Sequence, residues 1–161
     1  MNNSDLFVKM VLQAWESQIA RTSKLINSLT DEQLMSEVAP GKNRGIYLVG
    51  HLTSVNDSLF TLLGIGEKLL PEYENIFIKS PDKSVVEMPD IAELKNNWNK
   101  VYQKLSERFK EMTSDDWFGR HMSVTPEDFA KEPHRNRLNV IMSRTNHEGY
   151  HYGQLIFLQK K

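Results

Sequence analysis

VKMVLQAWESQIARTSKLINSL, residues 8–29, sets Val8, Leu12, Trp15, Ile19, Ile26 and Leu29 three, four or seven positions apart, with Thr22 filling the gap. An α-helix advances about 100° per residue, so these side chains form one continuous stripe that has to be buried against something. A half-buried strand would alternate apolar with polar residues, and almost nowhere in the chain does such alternation occur. Reading this stretch as a long amphipathic helix sets the fold class, because the same pattern returns three more times.

Outward from that helix, Thr30-Asp31-Glu32-Gln33 has the form of a capping box at the start of a short helix. Pro40-Gly41 breaks the chain, and a second long helix is expected from near Asn43, with Leu48, Leu52, Val55, Leu59 and Leu62 as its stripe. Gly64 and Gly66 stand where it should stop. A connection of about 25 residues then leads to Pro89, much longer than most loops in compact domains. It reads most simply as a crossover along a bundle, the alternative being a functional loop in which 64–89 covers a site. A third helix opens at Asp90 and Glu93, with Leu94, Trp98, Val101, Leu105 and Met112 as its stripe, and a fourth runs from about Asn136 to the end. Met112-Thr113-Ser114-Asp115-Asp116-Trp117 echoes Leu29-Thr30-Asp31-Glu32-Gln33-Leu34, which hints at two related helical hairpins but is too short to establish a repeat. The expectation is an all-α, single-domain four-helix bundle over residues 1–161, with a long connection between helices 2 and 3.

Composition narrows the chemistry. The net charge is −1, from 20 basic and 21 acidic side chains, which gives no bulk electrostatic reason to expect a nucleic-acid partner. There is no cysteine, so disulfides, thiolate metal sites and a cysteine nucleophile are excluded, and any metal must be held by nitrogen or oxygen. No run approaches the roughly 18 consecutive apolar residues of a membrane span. A soluble cytoplasmic protein with no membrane association is expected.

Within the fourth helix, His147-Glu148-Gly149-Tyr150-His151 fits the zinc-peptidase pattern H-E-x-x-H. Histidines four apart stand roughly 40° apart on a helix and one turn up, so both can reach one ion. Val140 and Leu158 lie seven residues to either side of them, which turns the pair toward the interior. Two core histidines satisfied by hydrogen bonds are the bland alternative. His51 shifts the balance, since it sits at the edge of the second helix's stripe between Tyr47 and Val55. Burying three imidazoles without a metal or a partner for each would cost on the order of a few kcal/mol. Three neutral imidazoles also leave an ion's coordination incomplete, open to water, and suit zinc, nickel, iron(II) or copper. His121 and His134, flanked by Arg120 and Arg135, read as solvated loop residues.

The peptidase reading is the weaker one. The common families place a third ligand downstream of the motif, and Tyr152–Lys161 contain no His, Asp or Glu. No strand is expected against which an extended substrate could lie. Glu148 could approach bound water or pair with an arginine.

The ordered set RGIYLVGHLTSVNDSLF, the turn LTDEQL before it and NHEGYHYGQLIFL near the end resembles the DinB-like (DinB/YfiT-like) family of metal-dependent enzymes over nearly the whole chain. That resemblance implies a four-helix bundle, often homodimeric, with one divalent ion on His51, His147 and His151. It also implies low-molecular-weight thiol chemistry, as in bacillithiol S-transferases and mycothiol-dependent maleylpyruvate isomerase. Tyr152 stands where relatives frequently carry arginine. Gln154, seven residues after His147, reads as a packing residue, with orientation of a ligand as the alternative.

The resulting expectation is a metal-dependent enzyme acting on a small-molecule substrate, an S-transferase or related metal-activated water or thiol chemistry. Glu148, Tyr47 and Tyr152 are its candidate acid, base or substrate-contact groups. A non-enzymatic metal- or ligand-binding stress-response protein is the alternative, with the zinc peptidase behind both.

Overall fold

Asn2 accepts the backbone N–H of Asp5 at 2.8 Å and the Asp5 carboxylate accepts the N–H of Asn2, so α1 (Asn3–Ser28) begins on a complete capping box. The computed structural model to which this helix belongs describes residues 2–85 and 87–159. α1 buries Val8, Val11, Trp15, Ile19, Thr22, Leu25 and Ile26, which is the expected stripe with Val11 and Leu25 added, while Leu12, expected in it, is only partly buried at its edge. The anticipated box at Thr30 and Gln33 forms and starts α2 (Asp31–Met35).

α3 (Gly45–Asp57) starts two residues later than the sequence suggested, and it breaks at Ser58 before resuming as α4 (Leu59–Leu62). The break has a local cause. The Ser58 hydroxyl donates to the Val55 carbonyl at 2.6 Å and the Thr61 hydroxyl donates to the Ser58 carbonyl at 3.2 Å, which offers the backbone alternatives to the regular ladder. Gly64, at φ 69°, then closes the end, and the N–H of Ile65 reaches back to the Phe60 carbonyl at 2.9 Å.

The long connection is strapped onto α3 along its length. The buried Asp57 carboxylate accepts the backbone N–H groups of Leu69 and Leu70 at 2.8 and 3.0 Å. α5 (Tyr73–Phe77) follows and packs on α3. Further on, Asp82 takes both the side chain of Arg44, at 2.7 Å, and its backbone N–H, at 2.8 Å. This anchors the crossover against the N-terminus of α3.

α6 (Ile91–Glu111) is capped by Asp90, which accepts the Glu93 N–H at 2.7 Å, and buries Leu94, Trp98, Val101, Tyr102, Leu105 and Phe109. Met112 was expected in that stripe, but the helix ends one residue before it and Phe109 takes the core position between Trp15 and Trp117, at centroid distances of 4.9 and 5.0 Å. α7 (Ser114–Phe118), α8 (Pro126–Lys131) and α9 (Arg137–Leu155) complete the helices among the described residues, with a 3₁₀ turn at Ile156–Leu158.

The faint echo in the sequence has a structural counterpart. Thr30 and Thr113 each cap a five-residue helix with a complete capping box. In the first half the N–H of Gly45 donates to Ser36 O at 3.1 Å and Glu37 bridges Arg44; in the second the N–H of Arg137 donates to Gly119 O at 3.0 Å and Arg120 bridges Asn136. Each long helix after a turn therefore starts from the same backbone clasp. α1 packs along α9 and α3 along α6, and α3 also meets α9, so the architecture is all-α as expected.

Gly50 is the tightest point. A Cβ added there would fall inside the Phe77 ring, although the residue is in mid-helix, where Gly→Ala ordinarily stabilises by about 1 kcal/mol. Gly50→Ala is expected to lower stability instead, by about 1–3 kcal/mol as overpacking does. Urea denaturation followed by circular dichroism gives the sign, and a stabilised variant would contradict the packing described here.

Candidate metal site

α3 presents His51 toward α9, and α9 returns His147 and His151 from successive turns. Their Nε2 atoms converge: His147 lies 3.3 Å from His51 and 3.1 Å from His151, and one ligand atom from each residue fits within a 4.8 Å cluster. Ring centroids are 4.6–5.2 Å apart with the planes steeply inclined, so the edges rather than the faces point at a common centre. Ligands about 2.0–2.1 Å from a tetrahedral zinc would be separated by about 3.3 Å, close to what is found.

The opposite nitrogens are held. His51 Nδ1 lies 2.9 Å from the Phe77 carbonyl, which can only accept, so Nδ1 carries the hydrogen and Nε2 is a bare lone pair. His151 Nδ1 lies 2.7 Å from Gln154 Oε1, with the same consequence. With those two hydrogens engaged, only one proton, on His147 Nε2, could serve both short contacts. A metal ion satisfies all three lone pairs at once, and N–H groups held by a carbonyl and an amide are the usual orienting partners of histidine ligands.

The surroundings favour neutral imidazoles, the form that binds metal. Burial pushes the His147 ring down to about 4, with the neighbouring His151, His51 and Arg144 adding to the effect. Burial also lowers His151, against the opposing effect of its hydrogen bond to Gln154.

The three second-tier candidates occupy different places. Tyr47 is 8% exposed; its hydroxyl donates to Ser80 O at 2.7 Å and approaches Phe77 O at 3.3 Å, and its ring stacks 6.4 Å from His51. Glu148 is 1% exposed, and its hydrogen bonds run to the Tyr102 hydroxyl, at 3.0 Å, and the Asn56 amide, at 3.2 Å, not to the histidines. Burial pushes it up to about 7 against those hydrogen bonds. The carboxylate that a peptidase would aim at metal-bound water is thus engaged in the core beside α6. Tyr152 is half-buried under Arg21, whose guanidinium carbon sits 5.0 Å from the ring centroid. His134 is exposed, and His121 accepts the Ser123 N–H at 3.3 Å, away from the cluster.

Two further residues stand beside His151. Gln154, read first as packing with orientation of a ligand as the alternative, hydrogen-bonds His151; its spacing of three on the helix was the available signal. Tyr150, 65% exposed, packs its ring edge against His151 at 5.0 Å and accepts a hydrogen bond from Gln154 at 3.3 Å. The Phe77 carbonyl had no side-chain signature to read.

Three convergent imidazoles bridging two helices of an all-α protein define a site compatible with a divalent metal. The sequence model of the DinB superfamily matches residues 14–155, nearly the whole chain, and the chain belongs to that superfamily. No curated protein matches it. Among the described residues, no helix is long and apolar enough to cross a membrane.

Gln154→Leu should retain the fold and lose metal affinity by about 10- to 100-fold, the usual cost of removing a ligand's orienting partner. Competition against a chromogenic chelator measures this, and unchanged affinity would show that the His151–Gln154 bond does not orient the ligand.

Proposed function

We propose that the chain is a metal-dependent enzyme in which His51, His147 and His151 hold one divalent ion and a small thiol or water molecule takes the open position. The observation that carries this reading is the convergence of three Nε2 atoms, two of them left bare by hydrogen bonds on the far side of the ring. Such an ion makes thiolate or hydroxide available near neutral pH, which a chain without cysteine cannot otherwise supply as a sulfur nucleophile.

The protein's own part is positioning. Phe77 and Gln154 hold two ligands in the tautomer that frees Nε2, and Tyr47, stacked on His51, pins the 77–80 segment that carries the Phe77 carbonyl. In this reading Glu148 and Tyr152 support α9 rather than touch the reacting atoms. Substitution at an electrophilic carbon by a low-molecular-weight thiol is the reaction class: a sulfur–carbon bond forms, the leaving group departs with its electron pair, and the thiol proton passes to solvent. A cytoplasmic homodimer belongs to the same reading, supported by the exposed Phe7, Met10 and Met142 along α1 and α9.

Protein purified without an affinity tag should contain about one equivalent of a divalent metal, and His51→Ala or His147→Ala should lose it. Zinc-, nickel- and iron(II)-loaded protein is then incubated with a panel of thiols and alkyl halides. Thiol-dependent halide release is expected, and its absence with every metal would leave a binding protein in place of a transferase.

A further inference from the structure

Seven arginines occur in the chain, and six have partners in the structure. Arg44 pairs with Asp82, Arg108 with Glu111 and Arg135 with Glu132, while Arg120 and Arg137 donate to backbone carbonyls and Arg21 lies over Tyr152. Arg144 has none among the described residues. Its Nε is fully buried without a hydrogen-bond partner, and no carboxylate meets its guanidinium. Glu148, one turn further along α9, is the neighbour an i,i+4 pair would use, yet its carboxylate is bonded to Tyr102 and Asn56. Leaving a partly buried guanidinium unpaired is costly, and an unsatisfied group of this kind calls for a partner that comes from outside the fold.

Its position says where that partner would sit. Arg144 is three residues before His147 and seven before His151, so it shares the helical face of both ligands, one turn from the first and two from the second. It is close enough for its charge to act on the His147 ring. A divalent ion on three neutral imidazoles is itself uncompensated, and a guanidinium beside it adds a further positive charge. The fork of a guanidinium matches a carboxylate bidentately.

We propose that Arg144 is the anion-binding residue of the site, holding a carboxylate on the same small molecule whose sulfur or oxygen occupies the metal's open position. The inference rests on the metal reading above and deepens it: the substrate or thiol is an acid, and neutral thiols bind as poor substitutes.

Cobalt(II)-loaded protein provides a binding readout, since d–d bands report metal and a sulfur-to-cobalt charge-transfer band reports thiolate. Mercaptoacetate, 3-mercaptopropionate and 4-mercaptobutyrate are each titrated against their methyl esters, which replace the carboxylate charge with a methyl group. The wild type is expected to prefer one acid over its ester by about tenfold to a hundredfold, as a charge-assisted hydrogen bond provides. Acetate and propionate, added as competitors, show whether a carboxylate without sulfur is captured as well. Arg144→Met should erase the preference while leaving ester binding and the d–d bands unchanged, and Arg144→Lys, which keeps the charge but loses the fork, should retain part of it. An equal preference in wild type and Arg144→Met, or in whichever of the two variants folds, overturns the role of Arg144 and leaves the metal site standing. Absence of d–d bands in the wild type overturns the metal reading and this inference together.

Discussion

The contact between α3 and the 64–89 segment at Gly50 and Phe77 governs the site. His51 can face α9 with its Nε2 bare only while the Phe77 carbonyl takes its Nδ1 hydrogen at 2.9 Å, and the Phe77 ring packs on α3 in the space left because residue 50 has no side chain. Everything else about the connection serves this approach. Asp57 gathers the start of the segment by two backbone N–H groups, the Tyr47 hydroxyl holds Ser80, and the Arg44–Asp82 pair closes the far end with a carboxylate only 4% exposed. A crossover of this length would ordinarily be a low-stability part of a fold. Here it is fastened at three levels of one helix, so the orientation of one ligand is determined by residues 26 or more positions away in sequence.

Charge is arranged to the same end. The polar cluster of Glu148, Tyr102 and Asn56 lies inside the core while the imidazoles lie at its edge, and burial raises the carboxyl toward its neutral form as it lowers the rings toward theirs. Neither change needs an ion pair. The Arg144 guanidinium is then a charge whose field reaches the His147 ring, and a bound cation and its ligand would add to it.

Periodicity made the helices legible: the stripes on α1 and α6, the caps at Thr30 and Asp90 and the stop at Gly64 stand close to where apolar spacing and turn chemistry put them. The misses are local. Periodicity carries no information about the Ser58 break, which arises from hydroxyls competing for backbone carbonyls, nor about the exchange of Met112 for Phe109, which depends on where the helix stops. The three histidines were legible as residue types facing inward and were expected to share one ion; the distances at which their nitrogens meet were not, because these depend on the register between α3 and α9. Glu148 drew attention through the H-E-x-x-H pattern, yet a rotation of about 60° around the helix from His151 is enough to send its carboxylate to α6. Backbone groups such as the Phe77 carbonyl leave no trace in composition at all.

That register follows from the repeated clasp. Gly45, at the start of α3, lies against Leu158 in the 3₁₀ turn that follows α9, while Arg137, at the start of α9, donates to the carbonyl of Leu63, so the two helices run antiparallel. Moving six residues from Gly45 to His51 brings the facing position on α9 back to Tyr152, and moving twelve from the other end brings it to Gly149. Tyr152 is one residue from His151, and Gly149 is two residues from both His147 and His151. Each hairpin fixes the first residue of its long helix through the same backbone hydrogen bond, Gly45 to Ser36 in one and Arg137 to Gly119 in the other. The meeting of one histidine from the first half with two from the second is thus a consequence of two identical starting points and opposite directions, and an ion held there would bind the halves together at the one level where both helix starts have already set the spacing.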